Sequence, residues 1–200
     1  MSALPGSKVA YPSGSCSIRE MPQSTRNISR LAVIVGSART DGNTAAIVSR
    51  FVQKLPSPPV VANLAVLKIA PFEYGCHGRQ DDFQSVIGSI LASDHVIFAT
   101  PVYWYAMAAA MKSFFDRLTD LLVVPNGRKI GRALAGRSVW LLSTGTDETL
   151  PPGFEEPFAR TARYFDMIWR EAFYCRSIKG ARPTDEALSE VDRLAELTTS

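Results

Sequence analysis

The chain has 200 residues, 46% hydrophobic and 20% charged, which is enough material for one full core and unlike a disordered chain or a coiled coil. Its net charge of +3 resides in the first thirty residues, where Lys8, Arg19, Arg26 and Arg30 face Glu20 alone; the remainder is neutral, which argues against nucleic-acid or membrane-surface partners. Three cysteines, Cys16, Cys76 and Cys175, stand far apart with no CxxC pair, which argues against a disulfide framework, a metal site or a four-cysteine iron–sulfur cluster.

Residues 1–29 are rich in Ser, Pro, Gly and Arg without periodicity and read as a flexible extension. Leu31 to Val35 is an unbroken apolar run ending at Gly36, the signature of a buried strand entering a glycine turn. A helix follows from Thr44 to Lys54, with Ala45, Val48, Phe51 and Val52 near one face, stopped by Pro56, Pro58 and Pro59. A second strand is expected within Val60 to Ile69, then a surface loop from Phe72 to Asp82. Asp82 is placed to cap a helix whose apolar face is Phe83, Val86, Ile87, Ile90 and Leu91. His95 to Ala99 is a third strand with His95 in a structural role, and Thr100 to Trp104 is its terminal loop. One long helix is expected from Ala106 to Leu122, with Lys112 and Asp116 paired on its polar side. A polar connection, Pro125 to Ala135, leads to a fourth strand at Ser138 to Leu142 and a loop of Ser143, Thr144, Gly145 and Thr146. An irregular Pro-rich stretch to Glu156, a helix from Phe158 to Met167 and a fifth strand within Ile168 to Ser177 come next. The last helix, introduced by Pro183 and Thr184, has Leu188, Val191, Leu194 and Leu197 as its stripe.

Strict alternation of strands and helices implies an α/β protein with a five-stranded parallel sheet and helices on both faces. In the order 2-1-3-4-5, the loops after strands one, three and four lie side by side at the carboxyl edge, where open α/β sheets bind ligands. Those are also the most ligand-like loops of this sequence. The first, Gly36 to Thr44, offers glycine, hydroxyl, amide and guanidinium donors at a helix N-terminus, a setting for a phosphate. It contains neither GxxxxGK[ST] nor GxGxxG, so a P-loop nucleotide or a Rossmann dinucleotide is not indicated. One phosphate with aromatic residues in the neighbouring loop points to a mononucleotide.

The segments GSARTDGNT and ATPVYWYAMAAAMKSFFDRL resemble the phosphate loop and second motif of the NADPH-dependent FMN reductase and NAD(P)H:quinone oxidoreductase family. The resemblance covers residues 30–200 and implies a flavodoxin-like three-layer sandwich that binds FMN. It implies that Ser37, Arg39, Asn43 and Thr44 contact the FMN phosphate. Pro101, Val102, Tyr103 and Trp104 would border the isoalloxazine and ribityl chain, and Ser143, Thr144 and Gly145 would close the third side. NADPH or NADH would be co-substrate, with a quinone, flavin, azo compound or metal oxyanion as small-molecule acceptor. The flavin would carry the chemistry, so no catalytic side chain and no metal ligand is assigned. A homodimer or homotetramer in the cytoplasm, with no nucleic-acid or membrane partner, is the implied setting. The apolar stripe of the third helix, beside Asp116 and Arg117, is the candidate subunit interface. Arg79, Arg117 or Arg128 could meet a nicotinamide 2′-phosphate. Cys76, beside His77, reads as a free thiol. The alternative is a flavodoxin-type electron carrier without turnover of its own; such carriers tend to be strongly acidic, whereas this core is neutral.

Overall fold

The apolar run Leu31–Val35 (β1) lies at the centre of a sheet, and every residue in it is buried. Alternation divides it between two layers: Ala32 and Ile34 enter one core, and Leu31, Val33 and Val35 enter the other. His95–Tyr103 (β3) and Ser138–Gly145 (β5) repeat the division, with Val96, Phe98, Val139 and Leu141 facing the first core and Ile97, Ala99, Trp140 and Leu142 the second. Val60–Asn63 (β2) and Ile168–Arg176 (β6) form the edges. The order is β2-β1-β3-β5-β6 with all these neighbours parallel, which is the expected 2-1-3-4-5 arrangement. A sixth strand, Ala106–Met107 (β4), folds back antiparallel onto the end of β3. The computed structural model describes residues 30–75, 80–177 and 183–199. The expected extension 1–29, with Cys16, and Cys76, His77 and Arg79 lie outside the described residues.

Helices cover both faces. Phe83–Leu91 (α2), Ala109–Arg117 (α3) and Glu156–Tyr164 (α6) pack on the first core, and Asn43–Lys54 (α1) and Asp185–Thr199 (α7) on the second. Helical spacing supplies the contacts: Thr44, Ile47, Val48 and Phe51 are buried along α1, and Phe83, Val86, Ile87 and Ile90 along α2. Full burial of a side chain such as Phe51 contributes about 1.5–3 kcal/mol. Among the described residues no helix is long and apolar enough to cross a membrane.

Several local expectations are corrected. β2 ends at Asn63, because the Asn63 side chain accepts from the Ala65 N–H at 3.1 Å and turns the chain out of the sheet. The carboxylate that bonds the first N–H of α2 is Asp81, at 3.1 Å, while Asp82 accepts from the Lys68 N–H. The expected long helix is divided into β4, α3 and Asp120–Val123 (α4), and a further short helix, Gly127–Arg132 (α5), lies inside the stretch read as a polar connection. Helix α6 starts and stops earlier than expected, leaving Met167 as the approach to β6. In α7 the buried stripe is Ala187, Val191, Leu194, Ala195 and Thr198; Leu197 is exposed. Met111, Phe114, Leu118 and Leu121 are buried in the first core of the chain itself, so this stripe is not free to form a subunit interface. The Lys112–Asp116 pair is present on the surface.

Candidate functional site

The chain leaves β1 for β2 on one side and returns to β3 on the other, which opens a crevice at the carboxyl end of the sheet. Register sets the three loops side by side: Val35 is opposite Ala99, Ala99 opposite Leu142, and Pro101 opposite Thr144. A cavity of about 650 Å³ lies there, within the range of small-molecule sites. The first loop contributes Ser37, Arg39, Asn43 and Thr44, the end of β3 contributes Pro101, Val102 and Tyr103, and β5 contributes Thr144 and Gly145. Asp41, Gly42, Thr146 and Ser177 complete the wall and were missed. The first three lie within or beside loops already singled out. Ser177 follows the last residue of β6, and its N–H···O bond of 2.7 Å to Gly145 brings it there.

The first loop is held open by its own bonds. The Ser37 hydroxyl accepts from the Arg39 N–H at 3.3 Å, and Arg39 Nε donates to Asp41 at 3.1 Å. That ion pair is exposed, and its hydrogen bond holds the Asp41 carboxyl below its ordinary range and the Arg39 guanidinium above its own. Exposed pairs are weak, so the guanidinium is available to a stronger anion. At the start of α1, Gly42 brings no side-chain cap and the first turn has no acidic residue. The positive end of the helix dipole and its leading N–H groups therefore face the cavity uncapped, and the nearby Asp41 carboxylate is engaged by Arg39. Thr44 and Thr144 hydroxyls meet at 2.8 Å across the crevice and tie the first loop to β5.

Two anticipated residues stand elsewhere. Ser143 is fully buried; its hydroxyl donates to the Thr100 carbonyl at 3.0 Å, and the Thr100 hydroxyl accepts from the Ala108 N–H at 3.2 Å. It braces the strand ends and does not line the cavity. Trp104 projects from the β3–β4 turn beside a neighbouring hollow. Arg117 cannot serve a nicotinamide phosphate, being buried between Asp81 and Asp120. Arg128, exposed, donates to the Leu122 carbonyl. Below the site, burial pushes the Cys175 thiol up to about 12, so it stays protonated at neutral pH and supplies no nucleophile. His95, at the other end of β3, packs edge-on against Trp140 at 5.2 Å.

The donor set suits a mononucleotide phosphate: two hydroxyls, an amide, a guanidinium and an uncapped helix start on one wall. Pro101, Val102 and Tyr103 add apolar and aromatic surface to the same cavity.

The sequence profile of the NADPH-dependent FMN reductase family matches residues 29–149. YwqN of Bacillus subtilis (strain 168), named as a candidate NAD(P)H-dependent FMN-containing oxidoreductase, is 31% identical over 178 residues, which covers 82% of this chain and 96% of that protein. Among solved structures, the Trp repressor binding protein of Bacillus subtilis superposes with a TM-score of 0.65 at 27% identity, covering 82% of this chain and 98% of its own. The apo form of an NADH:FMN oxidoreductase, EMOB, shares the fold at a TM-score of 0.61 and 15% identity, covering 86% and 88% of the two chains. The chain belongs to the NADPH-dependent FMN reductase family: it is an oxidoreductase that works with FMN and NAD(P)H.

Proposed function

We propose that the cavity at the carboxyl ends of β1, β3 and β5 holds FMN, and that the protein passes a hydride equivalent from NAD(P)H to a small acceptor. With a quinone the balance is NAD(P)H + H⁺ + quinone → NAD(P)⁺ + hydroquinone; a flavin, azo compound or metal oxyanion would serve in the same place. Bound FMN supplies the hydride-accepting and electron-donating chemistry. The chain supplies binding and orientation. Ser37, Arg39, Asn43 and Thr44, with the α1 N–H groups, hold the phosphate; Pro101, Val102 and Tyr103 border the ring system; Thr144 and Gly145 close the third side. The observation that carries this reading is the meeting of an uncapped helix start and an aromatic strand end in one cavity. Family membership favours a reductase over a flavodoxin-type carrier. A cytoplasmic homodimer or homotetramer, with residues 30–200 as the FMN-binding domain, completes the proposal.

The division of labour is testable at Arg39. Arg39→Ala should lower FMN affinity about tenfold by removing a charge-assisted donor. Turnover at saturating FMN should stay close to that of the parent, because Arg39 is assigned to the phosphate and takes no part in the transfer of electrons. Equilibrium titration with FMN, followed by steady-state NADPH oxidation with a quinone, measures both. Loss of turnover with FMN fully bound would contradict the assignment.

A further inference from the structure

Val102 pairs with Met107 and Tyr103 with Ala106, which leaves Trp104 and Tyr105 as a two-residue hairpin turn. Both have positive φ, 50° and 61°. Turns of this kind favour Asn-Gly or Gly-Gly, which reach that conformation easily; bulky aromatic residues reach it only under strain. The strained rings do not pack into the core: Trp104 is 94% and Tyr105 72% exposed. Neither turn formation nor burial explains two aromatic residues here.

Beside the turn lies a hollow of about 160 Å³ bounded by Val102, Trp104, Tyr105, Thr146, Asp147 and Tyr174. A space of this size accommodates one six-membered aromatic ring. Val102 and Thr146 also line the larger cavity, so the two spaces adjoin. The Tyr174 ring is fixed in place. Its hydroxyl donates to the Asp147 carbonyl at 2.9 Å, and it lies so close to Gly145 that a Cβ there would stand 2.7 Å from the hydroxyl. Among the described residues Asp147 is the one charged group in the lining, and Arg176 stands outside it, its Nε donating to the Thr146 carbonyl at 3.4 Å.

We infer that this hollow is an acceptor-selecting subsite, in which Trp104, Tyr105 and Tyr174 receive the ring of a flat aromatic electron acceptor at the mouth of the FMN cavity. The Asp147 carboxylate favours neutral or cationic acceptors over anionic ones. The inference rests on the FMN reading above. It also accounts for the turn, since the strained backbone aims the two rings at the mouth.

The test uses the FMN-loaded protein. The double variant Trp104→Asn, Tyr105→Gly gives the turn residues that suit its backbone, so its thermal midpoint should rise while FMN affinity stays within about twofold. Its kcat/KM for 2-methyl-1,4-naphthoquinone, taken relative to that for ferricyanide, should fall about tenfold. Titrating the oxidised protein with 1,4-naphthoquinone, without nicotinamide, should quench tryptophan emission saturably, and Trp104→Phe should abolish most of that quench yet retain the acceptor ratio. Asp147→Asn should raise kcat/KM for a sulfonated naphthoquinone relative to the neutral one. An unaltered acceptor ratio in the double variant, or an unaltered quench in Trp104→Phe, would overturn the inference while leaving FMN binding intact. So would dissociation of an oligomer by the double variant, which would assign the aromatic tip to a subunit contact. Failure of the parent protein to bind FMN would remove both readings.

Discussion

Arg117→Leu should destabilise the fold by about 3–5 kcal/mol, lowering the thermal midpoint by roughly 10 °C. Leucine fits the apolar surroundings, so the loss comes from stranded charges more than from lost volume. Arg117 is 2% exposed. Its guanidinium donates to Asp120 at 2.8 Å, to Asp81, and to the Ala70 carbonyl at 2.9 Å, and it lies 4.8 Å from the centre of the Phe83 ring. Without it, two carboxylates are left in a dry environment with no cation. Burial alone would raise the Asp81 pKa, but Arg117 and the N–H groups of Ala70 and Phe83 outweigh burial and hold it below the ordinary value. A depressed folded-state pKa stabilises above the unfolded value, near pH 3.9, and that contribution fades as pH falls through the folded value. The deficit of Arg117→Leu against the parent should therefore be largest at neutral pH and shrink as pH falls, first as the stranded carboxylates of the variant take up protons and then, below about pH 4, as those of the parent do. Urea unfolding at several pH values measures it. An equal deficit at every pH would mean that the loss is one of packing.

Gly36→Ala should damage the site and the fold together. A Cβ at Gly36 would stand 2.6 Å from Met111 Cβ and 2.9 Å from both Met111 Cα and N. Met111 belongs to α3, which is anchored by the buried side chains Phe114 and Leu118, so the helix cannot retreat without opening the first core. Overpacking of this kind destabilises by about 1–3 kcal/mol. Relief comes most easily by moving the first loop, since Gly36 is fixed on its strand side by an N–H···O bond of 2.8 Å to Ala99. Ser37 and Arg39 would be displaced with the loop. FMN affinity should fall at least tenfold, more than the stability loss alone would produce. Calorimetry with and without FMN separates the two effects.

Much of this was legible in the residues, for identifiable reasons. Leu31–Val35 is apolar at every position because both faces are covered, and Gly36 marks its end because α3 passes at contact distance. The loops converge because alternating elements force a parallel sheet, and a parallel sheet places its carboxyl ends together. What escaped was set by contacts distant in sequence or by broken local rules. Asp81 lies 36 residues before Arg117, so spacing within one helix could not distinguish a buried clamp from a surface pair. The β3–β4 hairpin was hidden because Trp-Tyr is a poor turn dipeptide, and the rule it breaks is the one that would have revealed it. Ser143 sits one residue before Thr144 on the same strand end, and the alternation that turns one inward and the other toward the cavity depends on where β5 stops.

Anaerobic rapid mixing shows whether the convergent loops hold an FMN that takes its electrons from a nicotinamide. The purified protein, loaded with one FMN per chain, is mixed with NADPH or NADH, and the flavin absorbance is followed before and after addition of a quinone. Fast bleaching by the nicotinamide and return of the yellow colour on adding the quinone are expected, with Arg39→Ala needing more FMN to give the same amplitude. A protein that binds no FMN at micromolar concentration, or one that binds it and is bleached by neither nicotinamide, would contradict the assignment of the cavity to FMN and of the protein to nicotinamide oxidation.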